Sequence, residues 1–187
     1  MASKLARGAM GAALFFGMMV SSVAPAMAQY WQCAPYAREI SGIQLFGNAS
    51  GWWDQADGKY ARGNVPMVGS VLAMKSHGKM RAGHVAMVSE VISDREVLLT
   101  HANWSHGGKI ERNVRAMDVS AAGDWSKVRV WYAPMGDLGL TSYPAYGFIY
   151  GEKAEPGRAN ADLKFADNRA GNRLAEIAGV IEGLRSN

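Results

Sequence analysis

The sequence predicts an α+β domain, short helices first and antiparallel strands after, and three observations carry that expectation. Pro35 follows the single cysteine by two residues in Gln32-Cys33-Ala34-Pro35-Tyr36-Ala37-Arg38. Proline lacks an amide proton and is tolerated only in the first turn of a helix, so a helix begins at or beside Cys33. Strand formers crowd residues 84–92 and 96–103 on either side of Ser93-Asp94-Arg95, the pattern of two strands joined by a tight turn. Residues 128–133 repeat the strand composition further on.

Taken in order, residues 1–28 read as a secretory signal. Lys4 and Arg7 make a basic start, 8–20 is an uncharged apolar run, and Ala26-Met27-Ala28 supplies small residues before Gln29. The apolar run is short for a membrane span, so the expectation is a cleaved peptide, no stable membrane span afterwards, and a periplasmic or secreted location. Without Lys4 and Arg7 the chain keeps 18 basic against 16 acidic residues. That near-neutral balance, with no basic run or stripe, argues against nucleic acid as a partner. The remaining length suits one domain with a tail. A lone cysteine cannot form an internal disulfide, and a free thiol kept in an oxidising compartment calls for a chemical reason.

Gly42 can stop the first helix after Ser41, leaving a short pedestal with Cys33 at its N-terminus. Unpaired amides and the positive end of the helix dipole there favour a thiolate and a lowered thiol pKa. The bland alternative is a small buried hydrophobe. Residues 48–60 fit a second short helix carrying Trp52, Trp53 and Ala56; the tryptophans suit either the core or, where exposed, a substrate groove. Residues 68–74 read as a strand after Pro66, and 76–83 as a loop. With a two-residue turn at Ser93-Asp94, Ile92 faces Arg95 and His84 faces Asn103, with His101 one diagonal step away on the same face. A three-residue turn would break that parity. Residues 107–115 resemble a turn and a strand, and 118–125 a loop. From 136 the composition changes, giving residues 136–168 as a polar and aromatic linker or extension. Leu174, Ile177, Ile181 and Leu184 then mark an amphipathic helix over 169–185, suited to packing on the domain or on a protein partner. The division is therefore 1–28, 29–135, 136–168 and 169–185.

Cysteine catalysis needs a nucleophile, a base, a group that holds the base, and donors for the oxyanion. Cys33 fits the first role and His84 the second. Asn103 suits the third as a neutral amide that fixes the imidazole tautomer, with His101 as the alternative. The Cys33 amide and the Gln32 side chain are candidates for the oxyanion, and Trp52, Trp53 and Trp104 for a substrate groove.

The Gln32-Cys33 pair opening a helix, Gly83-His84-Val85-Ala86-Met87-Val88 opening a strand and His101-Ala102-Asn103-Trp104 closing the next one resemble a CHAP domain, the cysteine, histidine-dependent amidohydrolases and peptidases. The likeness runs from about Gln32 to Ala133 and is to short exported bacterial proteins. It implies a papain-like α+β fold, peptidoglycan as substrate, Cys33 as nucleophile and His84 as base. Many members carry an acidic residue two positions before the asparagine; here that place is His101. Some relatives bind calcium through clustered aspartates, which Asp54 and Asp57 are too few to reproduce. No cofactor is expected. A metal site built from His101 and His106 with Cys33 or His84 matches no standard zinc spacing. The alternatives are a non-catalytic cell-wall-binding or assembly module with the same fold, and an amidase acting on a soluble amide.

Overall fold

The computed structural model describes residues 29–156, so the signal segment at 1–28 and the helix expected at 169–185 lie outside the described residues. Helix α1 spans Cys33–Ser41, and Gly42 ends it with φ +81°, its N–H donating to the Arg38 carbonyl at 3.0 Å. A left-handed residue at that position favours glycine, which carries no Cβ penalty. A single 3₁₀ turn, Ala49–Gly51, leads into helix α2 at Trp52–Gln55.

Ten strands follow among the described residues: β1 (Ala61–Gly63), β2 (Met67–Val68), β3 (Val71–Met74), β4 (His84–Val91), β5 (Glu96–Ala102), β6 (Ile110–Asp118), β7 (Lys127–Tyr132), β8 (Asp137–Leu138), β9 (Tyr143–Tyr150) and β10 (Glu155–Pro156). All pair antiparallel. The main sheet runs β1-β9-β3-β4-β5-β6-β7-β8, and β7 also meets β9, so the sheet curls until it closes into a barrel-like circuit. β2 and β10 form a separate pair. The described residues are thus mostly β, with less helix than the sequence predicted: α2 is little more than one turn.

Alternation along the strands sorts side chains onto two cores. Leu72, Met74, Ala86, Val88, Val97, Leu99, Val130 and Phe148 fill one, with Trp125. Val71, Ala73, Val85 and Ile149 face the other, where Ala34 and Ala37 of α1, Ile43, Leu45 and Trp52 cover them. β3 is consequently buried on both faces. His84 continues the row of Ala86 and Val88, and His101 that of Val97 and Leu99, so both imidazoles emerge at one end of the first core.

Two expectations need correction. The β4–β5 turn has three residues, since Ile92 pairs with Glu96 through a 2.9 Å N–H···O bond and Val91 stands opposite Val97. Parity is nevertheless restored: a bulge between Val88 and Glu90 inserts Ser89, and Met87 faces Thr100 in the register expected near the site. The stretch expected to be a linker or extension from 136 onward instead supplies β8 and β9 before Tyr150. β9 lies between β1 and β3 with Ala145, Phe148 and Ile149 buried. Pro144 and Gly147 made it read as turns. Gly147 sits at the β3–β9 register shift with φ +128°, and a Cβ there would lie 2.5 Å from the Gly63 carbonyl oxygen. Only glycine fits.

Candidate active site

The chain before α1 is tied down by the loop after β5. Trp31 N–H donates to the Gly108 carbonyl at 3.2 Å, and the Tyr30 hydroxyl approaches Asn103 Oδ1 at 3.4 Å. This delivers Gln32 and Cys33 to the end of the barrel where β4 begins, and α1 packs on β4 and β5. A cleft of about 790 Å³ opens there, lined by Gln32, Cys33, the 77–83 loop, His84, Asn103, Trp104 and Tyr143. Nucleophile and base candidates therefore share one cleft. The backbone amides of Val85, the residue after His84, and of Ala34 and Cys33 itself act on the sulfur in favour of its thiolate.

Gly83 makes the approach possible. Its φ is +68°, and a Cβ would stand 2.7 Å from the Met74 carbonyl oxygen and 2.8 Å from Ser50 N. The loop closes against the 3₁₀ turn through Ser50 N–H to the Ala82 carbonyl at 2.8 Å, and His84 enters β4 directly afterwards.

His84 is 3% exposed and His101 fully buried. His84 Nε2 and His101 Nδ1 lie 2.9 Å apart with the rings edge to face, and Trp104 packs against His84 at 4.7 Å between centroids. Trp104 is itself held by its indole N–H donating to the Trp131 carbonyl at 2.8 Å. Of the two residues offered to hold His84, His101 meets its ring. Asn103, expected opposite it, leaves strand conformation with φ +60°, and its carboxamide turns elsewhere. Asn103 Oδ1 accepts from the Gly108 amide at 2.9 Å, and Nδ2 donates to Gln32 Oε1 at 2.8 Å. Because a backbone N–H can only donate, the Gly108 bond fixes which end of the Asn103 amide is oxygen. Asn103 must then donate to Gln32, which leaves the Gln32 amino group a donor with no partner among the described residues.

Electrostatics corrects a further expectation. Burial pushes the Cys33 thiol up, outweighing the three backbone amides that favour the thiolate. Burial also holds His84 well below the ordinary histidine value, with His101 adding to that, and lowers His101 to about 3. At neutral pH thiol and imidazole are both uncharged, and the helix N-terminus does not by itself produce a thiolate.

Among the tryptophans, Trp104 lines the cleft, whereas Trp52 is fully buried beneath α1 and cannot be a groove residue. Trp53 stacks on Tyr146 at 5.5 Å with the Arg62 guanidinium over its ring, away from the cleft lining. Both follow from packing: paired aromatics beside a short helix seal the second core. Among the described residues no cluster of three His, Cys, Asp or Glu side chains could hold a metal ion.

One residue escaped the sequence. Glu111, opposite His101 in the β5–β6 register, brings Oε2 to 3.6 Å from His101 Nε2. The β5–β6 pairing would have found it, but its register passes through a shift between Leu99 and His101.

None of the curated proteins compared matches the chain. Residues 24–103 match the family model of the CHAP domain, a span that holds Gln32, Cys33, His84, His101 and Asn103. The family is generally one of cysteine and histidine amidohydrolases or peptidases directed at peptidoglycan. Sulfur and imidazole share one cleft, and the segment that carries them, residues 24–103, is the one that matches the CHAP domain.

Proposed function

We propose that the protein is an exported cysteine hydrolase that cuts amide bonds in peptidoglycan, as an N-acetylmuramoyl-L-alanine amidase or a stem-peptide endopeptidase, through a thioester. The observation that carries this reading is the convergence of Cys33 and His84 on one cleft, with His84 Nε2 held 2.9 Å from His101 Nδ1. That contact leaves His84 Nδ1 as the nitrogen available to the thiol.

The resting pair is neutral, so the proton moves as the bond forms. Cys33 Sγ attacks the carbonyl carbon while its proton passes to His84, and the carbonyl π electrons move onto oxygen. The Cys33 amide, in the first helical turn without an intrahelical acceptor, and the Gln32 amino group stabilise that oxyanion. The imidazolium then protonates the leaving nitrogen, the C–N bond breaks and a thioester remains. Water attacks it with His84 again as base, releasing the carboxylic acid and restoring the thiol. In this reading His101 orients His84, and Asn103 serves by holding Gln32 with its donor end toward the cleft.

The raised thiol pKa also suits a non-catalytic wall-binding module, which needs no reactive sulfur. Digestion of purified sacculi by the mature protein decides between them. The expected result is new amine termini, identified by mass spectrometry, that disappear with Cys33→Ala while the circular dichroism spectrum is unchanged. Binding without release of any terminus, or equal release by Cys33→Ala, would refute the hydrolase.

A further inference from the structure

His101 Nε2 is completely buried and makes no hydrogen bond among the described residues, an exception in a protein interior that asks for a physical account. The group facing it is the Glu111 carboxylate, at 3.6 Å from Oε2 and 11% exposed. That oxygen is fixed in place, since it accepts the Ser105 N–H at 3.0 Å. His101 and Glu111 are also direct cross-strand partners, so the β5–β6 ladder aims both side chains to the same side. Glu111 lies outside the 24–103 segment matched by the CHAP family model.

We propose that Glu111 is a positioning residue that sets the tautomers of the His101–His84 pair, and so the nitrogen that receives the Cys33 proton. The inference rests on the catalytic reading above. An ionised carboxylate can only accept, so the imidazole nitrogen turned toward it carries hydrogen; a bare nitrogen there would set two acceptors against each other in a dry site. With Nε2 of His101 protonated, its Nδ1 is a lone pair. The 2.9 Å contact is then a hydrogen bond donated by His84 Nε2–H, which leaves His84 Nδ1 bare. A bare Nδ1 is what the thiol needs. Reversing the His101 tautomer makes His101 Nδ1–H the donor and protonates His84 on Nδ1, which then cannot take a proton from sulfur. When His84 becomes imidazolium during attack, it keeps donating to His101, and the Glu111 charge stabilises the positive charge through that bond. Apart from the proton passing from sulfur to His84 Nδ1, the array exchanges no atoms. At 3.6 Å the contact is electrostatic rather than a hydrogen bond, and catalytic contacts of this kind often tighten in the substrate complex.

The test combines long-range proton–nitrogen NMR of the imidazoles at pH 7.5 with kinetics on sacculi, using the mature full-length protein, Glu111→Ala and Glu111→Gln. The wild type should show both His84 and His101 protonated on Nε2. In Glu111→Ala the His101 signal should shift to the other tautomer or a mixture, with kcat down about 10- to 100-fold and KM little changed. Glu111→Gln should keep the wild-type tautomers, because the Ser105 N–H selects the amide oxygen for the same place, and should lose less activity. The inference is overturned by a wild-type His101 protonated on Nδ1, which needs no variant, or by a folded Glu111→Ala with unchanged tautomers or kcat within twofold of wild type. These readouts stay separate from the hydrolase reading, which fails if the wild type releases no terminus from sacculi or if Cys33→Ala releases as much.

Discussion

Two imidazoles buried without charge make the folded state sensitive to acid. The unfolded chain binds a proton on each near pH 6.5, whereas the folded chain resists until His101 reaches about 3 and His84 a value well below its ordinary one. Between those limits the unfolded state holds more protons. Stability is therefore complete above pH 6.5 and is lost as pH falls, at a slope approaching about 1.4 kcal/mol per pH unit for each imidazole. Urea denaturation at pH 7.5, 6.0 and 5.0 should show that decline, and His101→Phe should halve it. A pH-independent midpoint over this range would mean that the pair titrates normally. Single residues were legible in the sequence by type rather than by partner. Cys33, His84 and His101 stood out as chemistry-bearing groups, but assigning Asn103 to His84 assumed that strand geometry continues to residue 103. A left-handed turn there, secured by the Gly108 amide, redirects the carboxamide to Gln32.

At the level of elements, the approach of β4 to α1 depends on one glycine. Gly83→Ala puts a Cβ against the backbone of both Met74 and Ser50 and forces an alanine to φ +68°. The left-handed conformation costs about 1–2 kcal/mol, and the overlap with backbone atoms, which cannot rotate away, adds to it. Relaxation must displace the start of β4, which is His84. Gly83→Ala should therefore lower the melting temperature by several degrees and reduce kcat by at least about tenfold, since small misplacements of a catalytic group cost that much. Gly78→Ala is the control: its φ is +53° but nothing lies within 4 Å of the added Cβ, so kcat should hold while stability dips. Equal kcat losses in the two variants would show that loop strain, not the position of His84, governs the rate. The β4–β5 hairpin shows what element-level reading can and cannot reach. Composition located both strands, and Met87 faces Thr100 as expected, yet the agreement arises because a three-residue turn and the Ser89 bulge offset one another. Neither carries a composition signal, since both are answers to how the sheet twists.

Over the whole molecule, closure of the sheet was the feature least visible in the sequence, because β9 is defined by neighbours far away in the chain rather than by its own pattern. Its glycine and proline fit only once β1, β3 and β7 surround it. Charge behaves in the same way. Composition gives a net charge of only +4 over 187 residues, but folding brings Lys79 and Arg81 to the cleft wall, and among the described residues no aspartate or glutamate lines that cleft. Neither side chain takes part in a hydrogen bond or ion pair with another described residue. A low-dielectric cleft with unpaired cations focuses a positive potential that net charge conceals. Substrates with a carboxylate near the scissile bond should therefore be preferred. Converting that carboxylate to an amide should raise KM several-fold at low ionic strength, and the difference should shrink as salt rises from about 0.05 to 0.5 M, where the screening length falls below 5 Å. Lys79→Gln with Arg81→Gln should remove the preference while leaving kcat within about threefold. Should the double variant discriminate acid from amide as strongly as wild type, the selectivity would have to come from the neutral donors around Gln32 and Asn103.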